Sequence, residues 1–196
     1  MAIFFKENIK NYMSMLKNHS KFAVLKLYIN LDKSTSSEFS KMYKQHIEQH
    51  NIQILTGDFP NSGFDLFIPE DITFKDMYKT EFVDLNIKCE MLYYDNTDVP
   101  TTCPFQLFPR SSMSKTPLML ANHTGIVDSG YRGFIISALR SFSEGYVLKK
   151  DTRLLQICHP SLCPIYVIIV GEHELSTTMR GSGAFGSTGI IGSIST

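Results

Sequence analysis

The chain has 196 residues, 43% of them apolar and 19% charged, which suffices for one domain with a substantial core and barely for two. Lysine plus arginine equals aspartate plus glutamate at 19 each, so no net field favours nucleic acid or an anionic membrane surface, and an anionic ligand must be met by local groups. The longest apolar runs, such as residues 165–170, fall far short of the roughly 20 residues that span a bilayer, and the opening MAIFFKENIKNYM has no continuous apolar core of the signal-peptide kind; the expectation is an intracellular, soluble protein.

Residues 1–21 show a weak helical spacing at Ile9, Tyr12, Met13 and Leu16 followed by a polar run, and form an N-terminal extension without an assigned role. The tract KFAVLKLYINL, residues 21–31, has the aliphatic and aromatic density of a first strand. A short helix over about 36–50 follows: Thr35 and Glu38 make a capping-box pattern, and Phe39, Met42, Tyr43 and Ile47 share one helical face, with His46 and His50 expected as its polar flank. Beyond it the texture is β. Val83, Leu85, Ile87, Cys89 and Met91 alternate with Asp84, Asn86, Lys88 and Glu90, which predicts one strand with a buried and a wet face. Short apolar runs at 64–68, 105–108, 118–120, 134–139, 146–148, 153–157 and 165–170, separated by turn residues, predict a sandwich, jelly roll or barrel.

The cysteines Cys89, Cys103, Cys158 and Cys163 include a single close pair, in CHPSLC; a structural zinc site would need a second hook, so they are expected as free or buried thiols in a reducing compartment. Between Ala121 and Gly133, ANHTGIVDSGYRG places an acid, Asp128, and an aromatic, Tyr131, around turn residues and predicts a β-hairpin. From Glu174 onward the chain holds five of its twelve glycines, with Arg180 and Phe185 among small and hydroxylated residues. That combination suits a flexible arm closing over an anionic, planar ligand. GSGAFGST is no Walker loop, because the lysine and the flanking strand and helix are missing.

Five tracts in order, SGFDLF (62–67), PRSS (109–112), GIVDSGYRG (125–133), DTRLLQI (151–157) and RGSGAFGSTG (180–189), resemble the five motifs of the trimeric deoxyuridine triphosphatases, the dUTPases. The resemblance covers about residues 22–189. It implies an all-β, distorted jelly-roll or β-barrel domain over 22–173, with a short helical insertion at about 36–50 and a flexible, glycine-rich C-terminal arm over 174–196. It also implies a homotrimer whose sites are shared between subunits. The implied activity is hydrolysis of dUTP to dUMP and pyrophosphate by Mg²⁺-assisted attack of water on the α-phosphate, which limits uracil incorporation into DNA and supplies dUMP for thymidylate synthesis. No nucleic-acid or membrane partner is expected.

By the same resemblance Asp128 orients and deprotonates the water, and Tyr131 packs beneath the deoxyribose and refuses ribonucleotides. The backbone from Asn122 through Gly125 to Tyr131 reads uracil. Arg110, Ser111, Ser112 and Gln156 contact the phosphates, and Asp65 supports Mg²⁺ through water. Arg180 reaches the γ-phosphate, while Phe185 stacks on the base with Gly186 and Ser187 beside it. Three positions depart from the family pattern: Ser112 and Ala184 stand where glycine is usual, and Gly130 replaces a second acid. Two rivals remain, a dCTP deaminase of the same fold and a non-catalytic regulatory nucleotide binder. The first needs a glutamate at the base and residues 125–143 contain none; the second has no use for Asp128.

Overall fold

Two four-stranded sheets carry the fold of this computed structural model, which describes residues 21–30, 36–95 and 99–183. Residues 1–20, Thr35, Ala184, Phe185, Gly186 and Ser187, and the expectations placed on them, lie outside the described residues. The first sheet joins β1 (Lys21–Ile29), β5 (Ile87–Asp95), β6 (Thr101–Cys103) and β13 (Ile165–Ile169) in the order β13-β1-β5-β6. The second joins β2 (Gly63–Leu66), β7 (Phe105–Pro109), β9 (Gly125–Val127) and β12 (Leu155–Cys158) in the order β2-β12-β7-β9. Smaller ladders pair β4 (Thr80–Asp84) and β8 (Leu118–Leu120) with β10 (Ile136–Ser141), and β3 (Ile72–Phe74) with β11 (Tyr146–Leu148). This is the predicted all-β jelly roll, and no described helix is long and apolar enough to cross a membrane.

The core lies between the sheets, where Leu25, Leu27, Phe64, Leu66, Phe105, Leu107, Leu155, Ile157 and Ile165 are all at most 2% exposed. Strand β1 reads as a nearly continuous apolar run because both its faces are covered: Ala23, Leu25 and Leu27 join the main core, while Phe22 and Val24 pack with Ile54 and Tyr166 in a second cluster.

The helix expected at about 36–50 is longer than predicted. A single helix, α1, runs Ser36–Thr56, with Phe39, Tyr43 and Ile47 buried as their spacing requires. It closes an edge of each sheet. The Asn51 amide donates to the Val167 carbonyl at 2.8 Å and accepts the Val167 N–H at 3.0 Å, mimicking a further strand beside β13. His50 Nε2 meets the Ile165 carbonyl at 2.8 Å, and the Tyr43 hydroxyl accepts the Phe67 N–H just past β2. Sheet edges left bare are prone to pairing with other chains, and a helix is one way to cover them. His46 and His50 are therefore not polar flank: His50 is 5% exposed, and both rings lie against Phe64 at 5.0 and 5.1 Å.

Two further expectations change. The alternating tract 83–91 is two strands, β4 and β5, because Asn86 turns the chain at φ 57° with its N–H bonded to Asp84 Oδ1, a conformation that asparagine tolerates. Nor is 121–133 a hairpin among the described residues: β8 pairs with β10 while β9 pairs with β7, so the tract crosses from one sheet to another. The turn after β9 closes through the Tyr131 N–H onto the Asp128 carbonyl.

Candidate active site

The predicted site residues that are described, Ser112 apart, fall into two cavities. The first, of about 250 Å³, is lined by Asn122, Gly125, Asp128, Tyr131, Arg180 and apolar groups including Leu107 and Ile135. Tyr131 is fixed there. Its ring is 9% exposed, its hydroxyl donates to the Phe134 carbonyl at 2.7 Å, and Gly133 leaves room for it, since a Cβ at that position would overlap the phenol oxygen. Burial, with the Asp84 charge, pushes the phenol above its ordinary range, so it stays protonated and neutral at physiological pH. Gly125 is held against Leu107, whose Cβ would stand 3.1 Å from an added Cβ. Asp128 directly follows β9 and its carboxylate is paired with the Arg180 guanidinium of the same chain. Both partners are about half exposed, so the pair contributes less than about 1 kcal/mol and is readily exchanged.

That pairing is possible because the root of the arm lies along this tract. Thr178 donates to the Gly130 carbonyl, the Arg132 N–H donates to the Gly181 carbonyl at 2.7 Å, and the Arg132 guanidinium reaches both the carbonyl and the hydroxyl of Ser176. Glu90, expected on a wet face, is instead 2% exposed at the centre of this clamp. It accepts from Lys26, Arg132 and Ser176 at 3.0, 3.1 and 2.6 Å. Burial alone would raise its carboxyl, but the hydrogen bonds from Ser176 and Lys26 hold it below the usual range. Gly130, which replaces the second acid of the family pattern, sits directly under Thr178 and Arg180.

The second cavity, of about 730 Å³, gathers Asp65, Arg110, Ser111, Arg153 and Gln156 against one face of α1. Register explains the grouping, because Asp65, Gln156 and Phe108 are directly opposite one another on β2, β12 and β7 and so share a face of the sheet. Gly63 is needed beside them: a Cβ there would overlap the Gln156 amide oxygen. Gln156 donates to the Pro109 carbonyl at 3.2 Å. Arg110 Nε meets Asp65 Oδ1 at 2.6 Å, its Nη1 donates to the Arg153 carbonyl at 2.8 Å, and Arg153 Nη1 lies 3.4 Å from Asp65 Oδ2. Ser112 does not line the cavity; its hydroxyl donates to the Arg153 carbonyl at 3.2 Å and steadies that corner.

Among the described residues no cluster of three or more His, Cys, Asp or Glu side chains is placed to hold a metal ion. Asp65 is the single carboxylate of the second cavity and both its oxygens face guanidiniums. This donor set fits an outer, water-mediated contact to a hydrated Mg²⁺ brought by phosphates, not a protein cage. In the CHPSLC tract the thiols of Cys158 and Cys163 are buried, and His159 is engaged with Ser161 at 2.8 Å and stacked on Tyr93.

Reasoning from sequence missed Arg153, Arg132, Glu90 and the α1 side chains. Arg153 and Arg132 lie inside recognised motifs and could have been weighed with them. Glu90 was hidden by a clean alternation, and the α1 group by the absence of a motif. The neighbours Leu107 and Phe108, with side chains on opposite faces of β7, line different cavities, and among the described residues none lines both.

Fold and cavities together define a jelly-roll protein with two separate cavities lined by the motif residues. Residues 51–189 match the dUTPase family. A deoxyuridine 5'-triphosphate nucleotidohydrolase of Clostridium kluyveri is 32% identical over 134 residues, 67% of this chain and 85% of the relative. That of Clostridium novyi is 32% identical over 133 residues, 66% of this chain and 85% of the relative; that of Escherichia phage T5 is 41% identical over 85 residues, 41% and 55% respectively. The chain belongs to the dUTPase family.

Proposed function

We propose that the protein hydrolyses dUTP to dUMP and pyrophosphate in a site completed between subunits of a homotrimer. Family membership supports the substrate, and the division of the motifs between two cavities carries the rest. Arg110, Ser111 and Gln156, read as phosphate ligands, line one cavity; the acid and the tyrosine, with Arg180, line the other, on opposite faces of β7. One chain's phosphate trough would then face another chain's acid pocket, and a monomer would hold no complete site.

In this reading uracil and deoxyribose occupy the pocket of Asn122, Gly125 and Tyr131. Main-chain N–H and C=O groups match the edge of uracil and leave the exocyclic amine of cytosine mispaired. The fixed Tyr131 ring refuses a 2′-hydroxyl by contact. Asp128 accepts a proton from water as the water oxygen bonds to the α-phosphorus. The bond from that phosphorus to the α,β-bridging oxygen breaks, and its electron pair leaves with pyrophosphate. Ser111 donates to the bridging oxygen, while Arg110 and Gln156 hold phosphoryl oxygens. Arg180 must leave Asp128 to free the base and meets the γ-phosphate, with Phe185, Gly186 and Ser187 closing over the nucleotide. Mg²⁺, when bound, neutralises phosphate charge, with Asp65 contributing through water. Such an enzyme would limit uracil incorporation into DNA and supply dUMP for thymidylate synthesis.

The purified protein, given Mg²⁺ and each of dUTP, dCTP, dTTP and UTP, is expected to release pyrophosphate from dUTP alone. Ammonia from dCTP would replace the reading with a deaminase, and binding without turnover with a regulatory binder. Asp128→Asn is expected to keep dUTP affinity and lose on the order of a hundredfold or more in kcat; near-normal turnover would remove Asp128 from the role of base.

A further inference from the structure

The phosphate cavity extends well past the motif residues. At about 730 Å³ it is roughly three times the size of the acid pocket, and its far wall is one face of α1, formed by His46, Gln49, His50 and Gln53 at helical spacing, with Asn61 beyond. None of the five motifs includes these residues. His50 is committed to the Ile165 carbonyl. The Gln53 amide oxygen accepts from Asn61 at 3.2 Å, which leaves the Gln53 NH₂ and the Asn61 carbonyl oxygen for other partners. The His46 ring is held between Phe64 and Phe67, and its Nε2 is buried without a partner. Buried polar atoms are normally satisfied, and this one belongs to a residue of the cavity wall.

The sheet order says which part of a ligand reaches that wall. Ser111 follows β7, Gln156 lies on β12, and Asp65 lies on β2, the edge strand against which α1 packs. A polyphosphate whose reacting bond lies at Ser111 and Gln156 and runs past Asp65 therefore brings its far end to the helix. Arg110 and Arg153 already share their charge with Asp65, so the cavity offers only modest net positive charge for a triphosphate. Neutral amide donors would make up part of the difference.

We propose that the α1 face bearing Gln49 and Gln53, with Asn61, is an added subsite for the terminal phosphate of the bound nucleoside triphosphate. The proposal rests on the dUTP reading and assigns a binding role to the insertion. The Gln49→Ala/Gln53→Ala double variant is suitable because both side chains are exposed and alanine favours helix. Affinities of full-length wild type and variant for the non-hydrolysable α,β-imido analogue of dUTP and for dUDP, by calorimetry with Mg²⁺, give the test. The expected result is about a tenfold loss of affinity for the triphosphate analogue and less than about a twofold change for dUDP. An unchanged preference for triphosphate over diphosphate in the variant, or an equal loss for both, overturns the subsite while leaving the dUTP reading intact. If the wild type binds neither nucleotide, the dUTP reading itself falls and the subsite with it.

Discussion

Gly63 shows how a residue without a side chain can hold a site together. The Gln156 amide occupies the space where its Cβ would be, and that amide is the flexible end of a side chain rather than backbone. Gly63→Ala should therefore fold with stability within about 1 kcal/mol of wild type while pushing Gln156 aside, because a strand accepts alanine with little penalty. The expected reading is a loss of about tenfold in kcat/KM for dUTP, with little further loss when Gly63→Ala is added to Gln156→Ala. Full activity in the single variant would sever the link between the two positions. At this scale the sequence was most informative where a motif carried the chemistry. Asp128, Tyr131, Arg110, Ser111 and Gln156, singled out by their motifs, all line cavities. Glu90 was illegible because an alternating strand says which face a residue takes, not whether another segment later covers that face; here Ser176 and Arg132 do.

At the scale of elements, α1 is the part of the chain whose position was least readable. Its apolar spacing revealed the helix, but periodicity alone does not show that Asn51 would stand in for a strand. Asn51→Ala removes two hydrogen bonds and leaves the Val167 N–H and carbonyl without that partner, at about 1 to 3 kcal/mol. The better helix propensity of alanine returns under about 0.7 kcal/mol, so a net loss is expected. Urea unfolding is the measure: a lower midpoint at unchanged slope is predicted, and an unchanged midpoint would show that water replaces the amide freely. The tract 121–133 was misread for a related reason. Turn chemistry correctly placed the bend after Asp128, but which strand pairs with which depends on distant partners, here β7 and β10.

For the whole molecule, the separation of the cavities makes a prediction about mixtures of chains. Asp128→Asn disables the acid pocket and Arg110→Ala the phosphate trough, so each variant alone should be nearly inactive. If sites form between subunits, trimers assembled from equal amounts of both should recover activity at about a quarter of their sites, where an intact pocket meets an intact trough. No recovery after co-expression, with mixed trimers present, would place a complete site within one chain. The overall architecture was legible because seven short apolar runs with turn residues between them leave few alternatives to a two-sheet β fold.

An element added to an established fold can ordinarily be lost again without harm, because the host structure was sufficient before it arrived. Helix α1 is not of that kind in this chain. Its removal would uncover β13 at Ile165 and Val167 and the β2 end at Phe67 together, and would strip Tyr43 and Ile54 from two apolar clusters. The rest of the chain has come to depend on the helix as a permanent fixture, so the fold tolerates change at the exposed glutamines of α1 but not the loss of the helix.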